Sequence, residues 1–382
     1  MDVLSASEKD ILRAVLNSTI SVVNKTEPDI IRKSLFSGEL GVGYFLAILE
    51  YNKIISNGNG VDIIQNVLSN QTTQRSNSIC NGTAGIYWLL SKAAGKLFEI
   101  DNDFLNFLQQ ECIDGLKSEI EKQHFDYLHG AFGILHALLS GYRMKENELS
   151  NVLDLILQAS KNHEIFPSSY SPVDKKGINL HLAHGISAYI IVLVELFNKT
   201  KNKEIAILIE RHCEILKNSF KRETFSCFPF TSESGEYNVR NAWCYGDLGI
   251  SIALYKASQV LNNDTYFEIA KYTWERTCLK TNKKEVRIYD SPLCHGIFGN
   301  LLMYSKIYQY LGKSDVIRNT ISKYIEKVEW YHNRYGENFL QYHEIDGFQY
   351  HRTYLTGVSG IGLTCLELLN YDLFESSKLL LV

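Results

Sequence analysis

The sequence predicts an all-α protein whose helices pair into hairpins and whose hairpins close into a ring. Three observations lead to this prediction. Only 5 prolines occur in 382 residues, so few positions break a helix. Apolar residues recur at three- and four-residue spacing over long stretches, which is the helical period. Finally, two glycines placed three residues apart recur along the whole chain.

The apolar spacing indicates several amphipathic helices, each with one buried face and one polar face. The clearest examples run through residues 11–23, 104–120 and 152–157. Helices of this kind cover a core on one side and meet water on the other. We therefore expect them to lie on the outside of the molecule.

The glycine pair marks a repeating unit, because a strongly apolar helix is predicted after each pair. The unit occurs six times, and a degenerate seventh copy begins at Gly185. The first glycines are Gly38, Gly82, Gly130, Gly185, Gly246, Gly296 and Gly357. They are separated by 44 to 61 residues, which is room for two helices and their connections, so each unit is predicted to be a helical hairpin. The apolar helix forms the inner ring, and the amphipathic helix before it forms the outer ring.

Hairpins of this kind form either an open solenoid or a closed ring. The residues just before the repeated glycine favour the ring: Ser37, Asn81, His129, His184, Tyr245, His295 and Thr356. In an α/α toroid, or barrel, these side chains converge at one end, whereas a solenoid would string them out in a row. No linker rich in Gly, Ser or Pro divides the chain. We therefore expect residues 1–382 to form a single toroidal domain.

Composition and charge exclude several classes of function. The net charge of −4 gives no electrostatic argument for binding nucleic acid. The longest apolar run, residues 188–193, is much shorter than the roughly 20 residues of a membrane-spanning helix. The first ten residues do not resemble a secretory signal. Together with 8 cysteines in a chain of this size, these features favour a reducing, cytoplasmic location over a disulfide framework.

Two short motifs place metal-binding side chains at the same position of neighbouring units. Cys244 and Cys294 each lie two residues before the repeated glycine, and His295 follows Cys294. Two thiolates and one imidazole are the ligands of a zinc site with one open position. If the ring brings the two units together, the sequence predicts one Zn²⁺ per chain.

The motifs Trp243-Cys244-Tyr245-Gly246 and Cys294-His295-Gly296, with Ala183-His184-Gly185 upstream, resemble those of the lanthionine synthetase C-like proteins, the lanthipeptide cyclases. The resemblance covers all seven units. It implies seven inner and seven outer helices with zinc at one end of the barrel. It also implies metal ligands Cys244, Cys294 and His295, and catalytic residues His184, Asp126, Arg240 and Tyr245.

Some members carry a β-rich insertion among the early repeats. The spacing from Gly82 to Gly130 leaves room only for helices, so no inserted β-domain is expected here.

The activity implied by the resemblance is the addition of cysteine thiols to dehydroalanine or dehydrobutyrine within a dehydrated precursor peptide, which forms thioether rings. Zinc would hold the thiol as a thiolate, and Arg240 would stabilise the enolate that forms. His184 would protonate the α-carbon, with Asp126 fixing its tautomer; the same pair could instead accept the thiol proton. Tyr245 could pack against the barrel or touch substrate. Besides the peptide, a separate dehydratase and an exporter are candidate partners.

Other functions fit parts of the same pattern. The same zinc site could add glutathione or another thiol to dehydroamino acids or other electrophiles. A non-catalytic helical-repeat scaffold with structural zinc would need a fourth protein ligand. A toroidal glycoside hydrolase would need paired carboxylates, and none is placed at equivalent repeat positions.

Overall fold

The structure is a computed structural model that describes residues 4–28, 32–69, 76–141, 144–168, 176–280, 286–344, 347–373 and 376–382. Fourteen α-helices in the described residues alternate between an outer and an inner ring, which confirms the predicted toroid. The outer helices are α1 (Ala6–Lys25), α3 (Gly60–Ser69), α5 (Asn102–Glu121), α7 (Glu146–Asn162), α9 (Lys203–Ser219), α11 (Asp264–Cys278) and α13 (Asp315–Tyr335). The inner helices are α2 (Glu39–Tyr51), α4 (Thr83–Ala93), α6 (Ala131–Ser140), α8 (Ile186–Thr200), α10 (Asp247–Leu261), α12 (Ile297–Tyr310) and α14 (Val358–Leu368).

Each inner helix begins directly after the first glycine of its unit. The first N–H group of most inner helices donates to the carbonyl group six residues before that glycine, as Ala131 does to His124 at 2.9 Å and Val358 to His351 at 2.9 Å. This bond satisfies a donor that a helix start otherwise leaves unpaired. A Cβ atom on Gly130 would overlap the same His124 carbonyl. The glycine is therefore needed because the chain folds back closely on itself.

Backbone hydrogen bonds join most neighbouring units at the position two residues before the repeated glycine. The N–H group of one unit donates to the carbonyl group of the next at 2.9 to 3.3 Å. The bonds join Phe36 to Cys80, Cys80 to Leu128, Ala183 to Cys244, Cys244 to Cys294, Cys294 to Leu355 and Leu355 to Phe36. The last of these links the seventh unit to the first, so the ring is closed.

Packing at the other levels of the barrel also closes the ring. The last inner helix, α14, packs against both helices of the first hairpin, α1 and α2. Gly362 of α14 lies where any side chain would collide with Phe45 of α2 and approach Thr19 of α1. Close packing at this seam therefore depends on a residue without a side chain.

The segment 377–382 occupies the inside of the barrel, where its four last residues are buried. Side chains from the first, third and fifth units donate to carbonyl groups of this segment or of the stretch before it. They are Tyr44 to Leu373 at 2.6 Å, Tyr127 to Leu379 at 2.6 Å, Trp243 to Leu380 at 2.8 Å and Lys256 to Leu381 at 3.0 Å. Because donors from several units of the ring bond to it, the segment lies within the ring of inner helices.

A two-stranded antiparallel hairpin interrupts the helical pattern between α13 and α14. Strand β1 (Tyr342–Glu344) pairs with β2 (Gly347–Gln349), with Tyr342 opposite Gln349. A short 3₁₀ helix, Gly336–Leu340, precedes it, and a second, Ser376–Leu380, lies in the segment inside the barrel. None of the helices in the described part of the chain has the length and apolar character that a membrane crossing needs.

Buried His212 on α9 makes the fold sensitive to acid. Its Nε2 accepts the N–H of Phe166 at 3.2 Å, and its Nδ1 lies 2.8 Å from the carbonyl oxygen of Leu208. Burial lowers the pKa of His212 to about 4, whereas an unfolded chain has a His pKa of about 6.5. Between these values the unfolded state binds a proton that the folded state does not. Stability therefore falls as the pH drops below about 6.5.

We predict that His212→Gln reduces the loss of Tm between neutral pH and about pH 5. The variant has a lower Tm at neutral pH because two buried hydrogen bonds change. Thermal unfolding followed by circular dichroism over this pH range measures both effects. His163→Gln, at a half-buried site near the same region, serves as the control and keeps the slope of the unaltered protein. An unchanged slope in His212→Gln would contradict the assignment.

Candidate metal centre and the pocket around it

Three side chains that can bind a metal lie together at the mouth of the barrel. The ligand atoms of Cys244, Cys294 and His295 all lie within 4.8 Å of one another. Cys244 is buried, whereas Cys294 and His295 are partly exposed. In the described residues, this group of three satisfies the geometric requirements for a metal site. The predicted convergence of these residues is therefore present.

The backbone ring brings the two cysteines together. The N–H of Cys244 donates to the carbonyl oxygen of Cys294 at 3.0 Å, and Cys294 donates in turn to Leu355 at 3.0 Å. Both cysteines thus occupy adjacent positions of the ring, although 50 residues separate them in sequence. Each lies in the loop that leads into an inner helix, so rigid helices hold the loops on both sides of the pair.

The protonation of the three groups favours a thiolate. The hydrogen bond between the two thiols lowers the pKa of Cys244 well below its usual value and raises that of Cys294. Burial opposes the charged form of His295, but its hydrogen bonds with Asp290 and Cys244 outweigh it and raise the His295 pKa to about 9. The pocket therefore favours a Cys244 thiolate beside a His295 imidazolium. Binding of a soft divalent metal would displace the protons that remain on these ligands.

Asp290 holds the imidazole in place. Its Oδ2 lies 3.1 Å from Nε2 of His295 and accepts the N–H of His343 at 3.2 Å. The carboxylate is fully buried. With Nε2 engaged, Nδ1 is the nitrogen left to face the sulfur atoms, and a carboxylate partner of this kind is typical of metal-binding histidines. Sequence reasoning missed Asp290. A signal existed: Asp290 lies four residues before Cys294, as Arg240 does before Cys244.

His184 and Asp126 form a second cluster at the same end of the barrel. Nδ1 of His184 lies 2.7 Å from Oδ2 of Asp126, and Oδ1 accepts the N–H of His129 at 2.7 Å. Both side chains of the pair are buried, while His129 is exposed and stacks on His184 with ring centroids 5.8 Å apart. The pair joins the third and fourth units side chain to side chain.

Tyr245 lies between the two clusters. It follows Cys244 in sequence, and its ring centroid lies 6.1 Å from that of His184. The ring of Phe230 stacks on that of Tyr245, with centroids 4.9 Å apart.

Buried His181 accepts the N–H of Gly246 through Nδ1 at 3.2 Å, and burial lowers the His181 pKa to about 3. A neutral His181 therefore supports the loop that carries Cys244 and Tyr245, a role that the sequence did not reveal.

Arg240 is exposed at the edge of the pocket. The mutual hydrogen bond of Cys244 and Cys294 is the main influence on their pKa values, lowering that of Cys244 and raising that of Cys294. The positive charge of Arg240 lowers the pKa of both thiols. Arg240 is therefore within electrostatic range of the predicted metal ligands. The structure thus places all seven predicted site residues at one end of the barrel.

Comparisons with known proteins agree with this arrangement. The family model described as lanthionine synthetase C-like protein matches residues 31–381. The nisin biosynthesis protein NisC of Lactococcus lactis subsp. lactis is 24% identical over 368 residues, which cover 83% of this chain and 84% of that protein. The lacticin 481/lactococcin biosynthesis protein LcnDR2 of the same organism is 24% identical over 297 residues. These cover 72% of this chain but 29% of LcnDR2.

A solved structure named nisin cyclase has the same fold. It superimposes with a TM-score of 0.74 at 20% sequence identity and covers 98% of each chain. Identity at this level establishes the architecture and leaves the chemistry to be argued from the residues. Since the family model spans nearly the whole sequence, the chain belongs to the lanthionine synthetase C-like family.

Proposed function

We propose that this protein is a zinc-dependent lanthipeptide cyclase. It adds cysteine thiols to dehydroalanine or dehydrobutyrine residues of a dehydrated precursor peptide and so forms lanthionine and methyllanthionine rings. The observation that carries the proposal is the cluster of Cys244, Cys294 and His295, whose ligand atoms lie within 4.8 Å of one another at the mouth that also holds the His184–Asp126 pair. The family and its relatives support the same reaction.

The three side chains fit a catalytic zinc site. Two sulfur ligands and one imidazole suit Zn²⁺, and buried Asp290 orients the imidazole. The cluster found in the described residues has three protein ligands, which favours an open site over the structural zinc of a scaffold. When bound there, zinc lowers the pKa of a coordinating thiol and makes it a nucleophile near neutral pH.

The other residues handle charge and protons around the reacting atoms. Asp126 accepts a hydrogen bond from Nδ1 of His184 and thereby fixes the tautomer of the ring. In the proposed role, Nε2 delivers a proton to the α-carbon after the thiolate has attacked the β-carbon. The guanidinium of Arg240 provides positive charge for the enolate oxygen that forms between these events. Tyr245 forms the wall between the proton donor and the ligand loop.

The wider setting follows from the same chemistry. We propose that the toroid acts as one domain on a precursor peptide that a separate dehydratase prepares, with an exporter as a further candidate partner. All eight cysteines are unpaired, and the ligand pair must stay reduced to bind metal. We therefore propose that the protein works in the reducing cytoplasm.

A first prediction from the proposed function concerns the zinc content of the protein. We expect about one zinc per chain in the purified protein, and near-complete loss of zinc in Cys244→Ala and in Cys294→Ala, because each change removes a ligand. Elemental analysis after dialysis measures the content. Cys80→Ala is a matched control, since Cys80 occupies the equivalent position of the second unit. Full zinc occupancy in either ligand variant would rule out this site.

The second prediction concerns proton transfer. His184→Ala is expected to retain zinc and to lose thioether formation by about 10²- to 10⁴-fold, the usual contribution of a general acid. Ring formation is measured by mass spectrometry after remaining thiols are alkylated. His129→Ala, the exposed neighbour that stacks on His184, is the control. If His184→Ala still makes rings at the normal rate, His184 is not the acid. If the unaltered protein joins added glutathione but closes no rings, cyclisation itself is refuted.

The third prediction concerns Asp290. Asp290→Asn keeps the shape of the side chain but removes the charge beside Nε2 of His295, so we expect zinc affinity to fall by about 10- to 100-fold. Competition with a chromophoric chelator measures this affinity without any turnover. Asp264→Asn, at the start of outer helix α11, is the control and is expected to leave zinc affinity unchanged. Equal affinity in Asp290→Asn and the unaltered protein would show that Asp290 does not support the site.

A further inference from the structure

Three aromatic side chains form an exposed patch beside the metal centre. The aromatic patch consists of Tyr289, His343 and Phe348. Tyr289 and Phe348 are each 52% exposed, and His343 is exposed as well. The rings follow one another, with centroids 6.4 Å apart from Tyr289 to His343 and 4.9 Å apart from His343 to Phe348. A continuous exposed surface of this kind is the type that binds a partner.

The patch is continuous with the predicted ligands. Tyr289 directly precedes Asp290, and the N–H of His343 donates to Asp290 at 3.2 Å. The residue before His343 on β1 is Tyr342, and its ring lies 4.9 Å from that of His295. Strand β1 thus connects the exposed rings to the group that holds the imidazole. The patch therefore borders the predicted ligand cluster through strand β1.

The hairpin also has a fixed position against the pocket. The ring of Tyr342 contacts two histidines, with centroids 4.9 Å from that of His295 and 5.2 Å from that of His351. Its neighbour His343 is held through its backbone by Asp290. The strand is therefore anchored through both its side chain and its main chain. A docking surface on such a strand is preorganised, which lowers the entropic cost of binding a flexible ligand.

We propose that the aromatic patch binds apolar or aromatic side chains of the substrate peptide that flank the reacting cysteine. This inference rests on the proposed function, because a cysteine brought to the ligand cluster carries its neighbours across β1. The ring of Tyr342 on β1 lies 4.9 Å from that of His295, so residues close in sequence to a cysteine at the ligand cluster would reach the patch on the same strand. The patch thereby selects sequences with bulky apolar neighbours and gives less affinity to those with small ones.

The test measures binding to the zinc-loaded full chain without any reaction. The probe is a fluorescein-labelled peptide with one cysteine flanked by phenylalanine, and with alanine in place of the dehydroalanine, so that it cannot cyclise. A second probe carries glycine at the flanking positions. Fluorescence anisotropy gives Kd for both probes with Phe348→Ala, with Tyr289→Ala/Phe348→Ala and with Phe348→Tyr. Phe107→Ala removes an aromatic residue of outer helix α5 that is 57% exposed and is the matched control.

We expect the double variant to raise Kd of the phenylalanine probe about tenfold, as the loss of anchoring aromatic residues does elsewhere. The glycine probe, the zinc content and the Phe107→Ala control are expected to stay unchanged, and Phe348→Tyr is expected to retain most of the affinity. Equal Kd values for both probes in the unaltered protein, or no change in the double variant, would overturn the inference. So would a change of the double variant from dimer to monomer in light scattering, since the patch would then bind a second copy.

This design separates the two ideas. If the unaltered protein forms no thioether rings but the double variant still weakens the phenylalanine probe, the cyclase proposal fails and the docking surface stands. If rings form but neither variant alters probe binding or the preference for flanking residues, the docking surface fails and the cyclase proposal stands.

Discussion

Backbone hydrogen bonds between neighbouring loops set the dimensions of this protein's mouth. They join most adjacent units at the position two residues before each repeated glycine, and the bond from Leu355 to Phe36 closes the ring. Cys244 and Cys294 occupy this position, so their separation depends on the main chain and on the glycines that let each loop fold tightly. The side chains at the ring can therefore change from unit to unit without changing its diameter. Because the backbone ring does not depend on these side chains, units with little sequence identity can carry the cluster of Cys244, Cys294 and His295 at one junction.

The described backbone bonds leave one junction of the ring to side chains. Between the third and fourth units, the side-chain contacts include that of His184 with Asp126 at 2.7 Å and that of His136 with Glu195 at 2.8 Å. The acid–base pair of the proposed reaction thus also ties two units together, while the ligand cluster lies at a junction closed by the main chain.

The repeat made the architecture and the ligand cluster predictable, and the limits of that prediction have physical causes. The first glycine of each unit marked the residue before its inner helix, because a close approach of backbones excludes side chains there. The equivalence of repeat positions then brought Cys244 and Cys294 together. Asp290 was missed because an aspartate before a loop has many ordinary structural roles. Its position four residues before Cys294, equivalent to that of Arg240 before Cys244, was nevertheless visible in the sequence. The hairpin carrying Tyr342 follows no repeat, and the apolar residues 379–382 resemble a helix end, so neither could be placed without tertiary contacts.

The segment 377–382 lies across the central opening of the toroid, so the pocket at the mouth is open at one end. With Tyr127 and Trp243 bonded to its carbonyl groups just below the mouth, a polypeptide has no route along the barrel axis. Under the proposed function, a substrate peptide would approach and leave at the same face, and it could not be threaded through the ring while several bridges form. Each bridge would then need a new loop of the peptide to enter the mouth and to leave it again. The cross-linked product, which is wider than an extended chain, would never have to pass through the ring.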